Sequence, residues 1–523
     1  MLLTDALLLH YQRCPRRAFL DVHGDLAQRD PPSDYLLKLF QDSLLHQRSV
    51  LTDWAWLPFG LPDGPLAYHR PIYPEHDWQA GASATLELMQ QGVDAIHQGI
   101  LLITDPAGHT FISKPDLLVK QPGDSLLGDW HYVPVDIKLG KRPKLEYQLV
   151  AAYQAHLLAQ MQGAWPEAAW LILRQRGAYE VDLVERVPRM QSILEECTRT
   201  LSEPVEPEVF ISRNRCSLCH WYGHCYDIAQ QQQHLSLLPG VTPSRYSFLQ
   251  GLKLTTVESL ALARPAQLEP LPGFGREVAQ KLVWQAQATL SNQAILVADP
   301  SLWSQGFSGN GAIAPFHHLP TAPVEFYFDI EAEPDLNLAY LHGVLMVDRR
   351  TQTETFYPFL AEDPSAEAAV WKDFLELMLA YPQSPVFHFC AYEVQTVRRL
   401  AQLYNTPLDS VEALLHRFVD LHAWVTRTVM LPVESYALKP IARWVGFDWR
   451  DASADGAQSI YWYNQWLTTG DRSFLDSIVC YNEDDCRATY HVKDWLVEFL
   501  RQPRLPYAYV SDGEESLPSI GER

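Results

Sequence analysis

Two pairs of residues stand two positions apart in apolar runs and carry groups suited to metal and phosphate chemistry. Asp329 and Glu331 follow Val324-Glu325-Phe326-Tyr327-Phe328, and Asp136 and Lys138 lie within the run 132–139. In an extended strand residues i and i+2 leave on one face, so each pair presents its side chains together. Carboxylates converging within about 4 Å repel by about 4 kcal/mol at an effective dielectric near 20, so such groupings are expected where cations occupy them. Phosphodiester hydrolysis has this requirement. Divalent cations held by carboxylates activate water and neutralise phosphate, and a nearby lysine positions the water or stabilises developing charge.

Further residues can complete each pair. Asp116, after Pro115, opens another extended segment, and His46, in the helical stretch Asp42-Ser43-Leu44-Leu45-His46, is a candidate additional metal ligand. Gln148 and Tyr153 fall on the helix that follows Lys138. An Asp-x-Lys pair also occurs on solvated strands, and a lone histidine also occurs in cores and on surfaces. For the second pair, Glu393 lies in His388-Phe389-Cys390-Ala391-Tyr392-Glu393, and Tyr481 and Asp485 are i, i+4 neighbours in a helical pattern. A strand end meeting solvent remains the plain alternative for Asp329 and Glu331. Cys216, Cys219 and Cys225, with the distant Cys14, have metal-ligand spacing. Four thiolates can hold a [4Fe–4S] cluster or zinc. Structural zinc sites usually pair two Cys-x2–4-Cys knuckles and this chain has one, which favours the cluster. Cys197, Cys390, Cys480 and Cys486 read as small buried apolar side chains.

The elements that must position these groups fall into three expected domains within 523 residues, of which 47% are hydrophobic, enough for more than one core. Residues 1–229 mix helices with strands over Thr110–Val119 and Tyr132–Leu139, then a helix from Lys144 to Gln160. The glutamine run 230–233 marks a boundary, and residues 230–305 read as helical, with the turn Leu271-Pro272-Gly273-Phe274-Gly275 leading into a helix over Val278–Ala288. Backbone N–H groups of such a Gly-rich hairpin can receive a phosphate, and a plain helical connector fits equally. A linker rich in Gly, Ser and Pro from Pro300 to Pro323 precedes residues 320–501, and 502–523 read as a flexible tail.

The net charge of −22 opposes indiscriminate binding to nucleic acid. Arg13, Arg16, Arg17, Lys138, Lys141, Arg142, Lys144, Arg213 and Arg215 nevertheless lie beside the candidate groups, as a local basic track or as a solvated face. No apolar run approaches the roughly 18 residues of a membrane span, and the N-terminal arginines follow the apolar stretch, the reverse of a secretory signal. Eight cysteines are sparse for a disulfide scaffold. A soluble, cytoplasmic protein is expected.

In this order the pieces resemble known families. His46, Asp116, Asp136, Lys138 and the pair Gln148 and Tyr153 resemble the helix, Asp, (Asp/Glu)-x-Lys and Q-x-x-x-Y motifs of RecB-like PD-(D/E)XK nucleases. Asp42 stands where that pattern has Gly, and Tyr153 follows Gln148 by five positions instead of four. Cys14, Cys216, Cys219 and Cys225 resemble the iron–sulfur staple of the CRISPR-associated RecB-like exonucleases and AddB-type helicase–nucleases. Asp329, Glu331, Glu393, Tyr481 and Asp485 resemble the DEDDy exonucleases of the ribonuclease H-like fold, especially the YprB-type branch, with Glu393 where most members have Asp. The middle segment resembles helix–hairpin–helix repeats. Apart from its tail, the chain resembles a bacterial RecB-like nuclease family joining the two nuclease modules.

The resemblance implies an α/β multidomain chain with a restriction-endonuclease-like domain, a helical connector and a ribonuclease H-like domain. By it, His46, Asp116, Asp136, Asp329, Glu331, Glu393 and Asp485 hold Mg²⁺ or Mn²⁺. Lys138 and Tyr481 are catalytic, Gln148 and Tyr153 grip DNA, and the four cysteines hold [4Fe–4S]. The expected activity is metal-dependent hydrolysis of DNA at single strands or ends. An RNA-processing 3′–5′ exonuclease, or a nucleic-acid-binding adaptor with degenerate sites, is the alternative.

Overall fold

The computed structural model describes residues 1–52, 57, 68–175, 177–297 and 319–501. The expected tail 502–523, and the expected linker as far as residue 318, lie outside the described residues. The chain divides into two compact units, Met1–Ala229 and Gln230–Arg523. Among the described residues no helix is long and apolar enough to cross a membrane.

The first unit opens with β1 (Leu2–Thr4), α1 (Asp5–Arg13) and α2 (Pro15–His23), with the Thr4 hydroxyl accepting from the Leu7 N–H to cap α1. There follow α3 (Asp34–Thr52), β2 (Tyr68–His69), α4 (Trp78–Gln90), β3 (Ala95–His97), β4 (Leu101–Thr104) and β5 (Thr110–Ser113). After these come β6 (Leu117–Ser125), β7 (Gly128–Lys138), α5 (Leu145–Gln162), β8 (Ala169–Leu173), β9 (Gly177–Val181), α6 (Leu183–Ser202), α7 (Arg213–Cys216) and α8 (Tyr222–Gln231). A three-stranded sheet has the order β1-β5-β4 and a six-stranded sheet the order β2-β3-β6-β7-β8-β9. β6 and β7 form an antiparallel hairpin, and α5 carries the chain from β7 to its parallel neighbour β8.

One expected element is divided. The run from Thr110 to Val119 is two strands in different sheets, broken at Lys114 to Asp116. Pro115 has no N–H for a ladder, so the chain changes sheet there and sets Asp116 immediately before β6. The core that fixes β7 is the inner face of α5, where Leu149, Ala152, Tyr153, Leu157 and Leu158 meet Leu7, Leu8 and Tyr11 of α1 and Met190 and Cys197 of α6.

The second unit begins with α9 (Pro243–Gly251), α10 (Val257–Ala261), α11 (Pro265–Leu268) and α12 (Gly275–Ser291). Gly273 and Gly275 take φ of +79° and +63° in the turn before α12, the left-handed region where a β-carbon is unfavourable. β10 (Ile295–Leu296) pairs with β16 (Val429–Met430), and the Gln285 amide of α12 donates to the Leu431 carbonyl at 2.6 Å.

The remaining strands are β11 (Val324–Glu333), β12 (Leu338–Asp348), β13 (Thr353–Leu360), β14 (Val386–His388) and β15 (Phe418–Asp420). They form one sheet of order β13-β12-β11-β14-β15, antiparallel from β13 to β11 and parallel from β11 to β15. The helix Ser473–Arg501 lies against β11 and β12 and buries Cys486, Ala488, Val492 and Leu496 in a core shared with Tyr327 and Leu345. Helix Tyr392–Leu403 follows β14 and packs Val397 and Leu400 with Phe326, Phe328 and Trp371 on the opposite face.

Candidate functional site

In the second unit, β11 and the helix Ser473–Arg501 bring Asp329, Glu331 and Asp485 together. Each offers a carboxylate oxygen, and these oxygens lie within 4.8 Å of one another. Among the described residues this is the one such set of three or more potential ligands. Strand alternation puts Asp329 and Glu331 on one face, and one helical turn sets Tyr481 beside Asp485.

Neighbours missed in the sequence hold each carboxylate. The Asn482 amide donates to Asp329 Oδ2 at 2.7 Å, and the Trp449 indole N–H donates to Asp485 Oδ1 at 2.7 Å. The Ser459 hydroxyl serves Glu331 and lies 2.7 Å from the Tyr340 hydroxyl. Asn482 reaches Asp329 because Gly343, its cross-strand partner, has no side chain. A β-carbon there would stand 1.5 Å from Asn482 Oδ1. None of Asn482, Trp449, Ser459 and Gly343 lies in a local pattern with Asp329 or Glu331, so strand and helix periodicity carry no sign of them.

Glu393 is buried at the start of its helix but stands outside the close set. Its Oε2 lies 3.3 Å from His388 Nδ1, which also lies 2.6 Å from the Cys390 carbonyl. A carbonyl can only accept, so Nδ1 carries the proton and turns toward both acceptors. Cys390 takes φ of +84°, unusual for a residue with a β-carbon, and this turn aims its carbonyl at His388 and its N–H at Asp420. Glu393 remains near enough to raise the proton affinity of Asp329.

Burial and mutual repulsion favour protonation throughout this group. Burial, with Asp485 next, pushes Glu331 up to about 8, and burial pushes Asp485 up to about 6 against the bonds from Trp449 and Tyr481. Asp329 is held well above the usual carboxylate range by burial, then by Asp485, Glu331 and Glu393. Burial and Asp485 likewise keep the Tyr481 phenol neutral.

A pH dependence follows for the metal-free protein. Folded-state affinities raised above the unfolded ones contribute stability below the unfolded pKa and lose it as pH rises through the folded value. In EDTA the chain is therefore expected to lose stability between about pH 5 and pH 8, by on the order of 2 kcal/mol or more, since each pKa unit is about 1.4 kcal/mol. Saturating Mg²⁺ should flatten this slope, as should Glu331→Gln. Melting temperatures in EDTA that do not fall across this range would contradict the geometry.

In the first unit, β7 presents Asp136 and Lys138 together, with Lys138 Nζ 2.8 Å from Asp136 Oδ2. Asp116 Oδ2 accepts from the Ile137 N–H at 2.7 Å, so its carboxylate lies over the same strand. Burial and then Asp136 push Asp116 up to about 7. Against the penalty of burial, Asp136 and Asp116 hold the Lys138 ammonium above the usual lysine range.

The flanking residues differ from those expected. On α3 it is Gln47 whose amide donates to Asp116 Oδ1, at 3.2 Å, whereas His46 bonds toward the Ile172 backbone and burial lowers its proton affinity. On α5 it is Gln154 whose amide donates to Asp136 Oδ1, at 3.0 Å. Gln148 and Tyr153 are turned inward. The Gln148 amide donates to the Pro143 carbonyl and accepts from Arg186, and the buried Tyr153 hydroxyl donates to the Leu3 and Ile112 carbonyls. Five positions rotate a helix by about 140°, which separates the faces of these two residues. Asp5 of α1 adds a further carboxylate near Asp116 and Lys138, held by the Ser113 hydroxyl at 2.6 Å.

Cys14, Cys216, Cys219 and Cys225 line one small pocket, together with Arg13, Arg16, Arg17 and Arg215. Burial raises the proton affinity of Cys216 and Cys225 and pushes Cys219 up to about 11. The segment is tied to the N-terminal helices through Asp21, whose carboxylate lies 2.7 Å from His10 Nδ1 and 2.6 Å from His220 Nε2. It also accepts from the Trp221 indole N–H at 2.9 Å.

No curated protein matches the chain. Residues 326–497 match the RNase_H_2 family model of the RNase_H superfamily, so the second unit contains an RNase H-like module, of the nuclease-type hydrolases that act on nucleic acid.

Proposed function

We propose that the protein is a metal-dependent nuclease acting on DNA at single strands or ends, with its principal site at Asp329, Glu331 and Asp485. The observation that carries this reading is the convergence of those carboxylates on β11, the central strand of the ribonuclease H-like sheet, and the helix packed against it. An all-oxygen donor set suits Mg²⁺ or Mn²⁺. In a loaded site divalent cations would supply the activation of water and neutralise the phosphate. Asn482, Ser459 and Trp449 fix the carboxylates, and the neutral Tyr481 hydroxyl, bonded to Asp485, orients the attacking water. Glu393, beside His388 and outside the close set of three, is the further carboxylate available to a second cation.

Asp116, Asp136 and Lys138 form a second hydrolytic site of PD-(D/E)XK type. The hairpin β6–β7, the crossover α5 and the parallel strand β8 support it, because they hold these residues on one face of one sheet. The donor set of the cysteine pocket fits a [4Fe–4S] cluster, with Arg16, Arg17 and Arg215 offsetting thiolate charge. Such a cluster would join Cys14 to the segment 216–225 and so brace the two ends of the unit.

Anaerobic purification followed by digestion of labelled single- and double-stranded DNA and RNA, in Mg²⁺, Mn²⁺ and EDTA, tests the whole reading. The protein should be brown, with broad absorbance near ~400 nm, and should degrade single-stranded DNA only with a divalent ion. A colourless protein carrying zinc removes the cluster. Preference for RNA moves the substrate, and binding without cleavage leaves an adaptor.

A further inference from the structure

The carboxylate site gathers Asp329, Glu331, Glu393 and Asp485, with Asp484 beside Asp485, and once ionised these acids repel the phosphodiester the site is proposed to cut. Most cations around it are already committed. Arg450 donates to Asp484 at 2.8 Å and pairs with Glu483 at 2.9 Å, and Arg487 pairs with Glu483 and Glu354. Lys439, on the helix Leu438–Trp444, differs from both. Its Nζ lies 5.3 Å from the centre of the Trp449 ring and 5.3 Å from that of Tyr481, the two side chains that bond Asp485. It donates to the Ala454 carbonyl and is attracted by Asp485, Asp455 and Asp451. Among the described residues no ion pair within 4 Å includes it. An ammonium has three donors, so donors remain beyond the Ala454 bond.

An apolar side chain would fill the space beside two aromatic rings without the penalty of desolvating a charge, so the charge itself requires an explanation. We infer that Lys439 is a phosphate-binding group of this site, its ammonium meeting a non-bridging oxygen of the scissile phosphodiester. This rests on the reading of the site as a nuclease. The competing explanation, neutralisation of the carboxylates alone, predicts the opposite behaviour toward metal. A cation beside a metal site weakens metal binding, so its removal would tighten Mn²⁺ and leave turnover intact at saturating metal.

The full chain carrying Lys439→Met or Lys439→Arg distinguishes the two. Three quantities are measured: Mn²⁺ affinity by calorimetry, affinity for a labelled single-stranded oligonucleotide in Ca²⁺, and turnover at saturating Mn²⁺. Lys439→Met is expected to lower turnover by about 100-fold, the loss typical for one removed electrostatic stabiliser. Oligonucleotide affinity should fall with it, Mn²⁺ affinity should not, and Lys439→Arg should restore at least part of both losses. Unchanged turnover and oligonucleotide affinity in Lys439→Met overturn the inference. So do equal losses in both variants accompanied by a lowered melting temperature, which would mark a packing role. A chain that binds oligonucleotide through Lys439 but cleaves nothing defeats the nuclease reading and keeps Lys439 only as a phosphate-binding group, whereas a chain that neither binds nor cleaves defeats both.

Discussion

Asp485→Asn is expected to lower metal-dependent hydrolysis at the second unit's site by at least about 10³-fold, at the upper end of the loss from removing one preorganised electrostatic group. The substitution keeps the shape of the side chain, and its amide oxygen can still accept from the Trp449 indole N–H, which donates to Asp485 Oδ1 at 2.7 Å. Only the charge disappears, and with it a ligand of the close set that includes Asp329 and Glu331. The same change should raise the melting temperature of the metal-free protein, because one of several mutually repelling buried carboxylates has gone. Lost activity with gained stability is the mark of a group retained for function against the interest of the fold. Any cleavage that survives Asp485→Asn should vanish on adding Lys138→Ala, which assigns it to the first unit. Full activity in the double variant would remove both sites from consideration.

Gly343→Ala should be nearly as damaging although it adds a single methyl group. The new β-carbon would lie 1.5 Å from Asn482 Oδ1, 2.7 Å from Asn482 Cγ and 3.2 Å from Phe356 Cε2. Asn482 is fully buried, so its amide leaves Asp329 if it moves to escape. Overpacking costs about 1–3 kcal/mol. Loss of the hydrogen bond to Asp329 adds about 0.5–1.5 kcal/mol. A destabilisation of roughly 3 kcal/mol is therefore expected, with turnover reduced as Asp329 loses its restraint. Combining Gly343→Ala with Asn482→Ala removes the colliding atoms, so the double variant should recover stability relative to Gly343→Ala alone. Chemical denaturation of the three variants measures this, and a Gly343→Ala chain as stable as the parent would show that the slot is not rigid.

What the sequence made legible follows from the reach of local periodicity. Asp329 with Glu331, Asp136 with Lys138, and Tyr481 with Asp485 are close because strand and helix repeats force them together, and each pair is so placed. Residues brought in from elsewhere had no such signal: Trp449 comes from the loop before the helix Gly456–Thr469, Ser459 from that helix, and Gly343 from the neighbouring strand. On α3 the expectation fell on His46 and the contact on Gln47, one position or about 100° around the helix. A rotation of that size is set by packing against the sheet. Gln154 in place of Gln148 and Tyr153 has the same origin, since the inner face of α5 is chosen by the core around Leu149 and Leu157. The run Thr110–Val119 holds strand-forming residues on either side of Lys114-Pro115-Asp116. Its division at Pro115 depends on which sheet each half joins.

The ties through Asp21 also bear on how the first unit is made. Asp21 meets His220 across 199 residues of chain, and the His23 ring meets the Leu201 carbonyl across 178. At about 5–20 residues per second of synthesis, roughly 10–40 seconds separate the emergence of the N-terminal helices from that of their partners. Leu3, Leu7 and Leu8, all buried in the finished unit, gain their partners on β5 and α5 within that interval and those on α6 only near its end. The last ties of the unit therefore wait for its C-terminal segment, and the helices that hold Asp21 and His23 are the part left longest without their final partners.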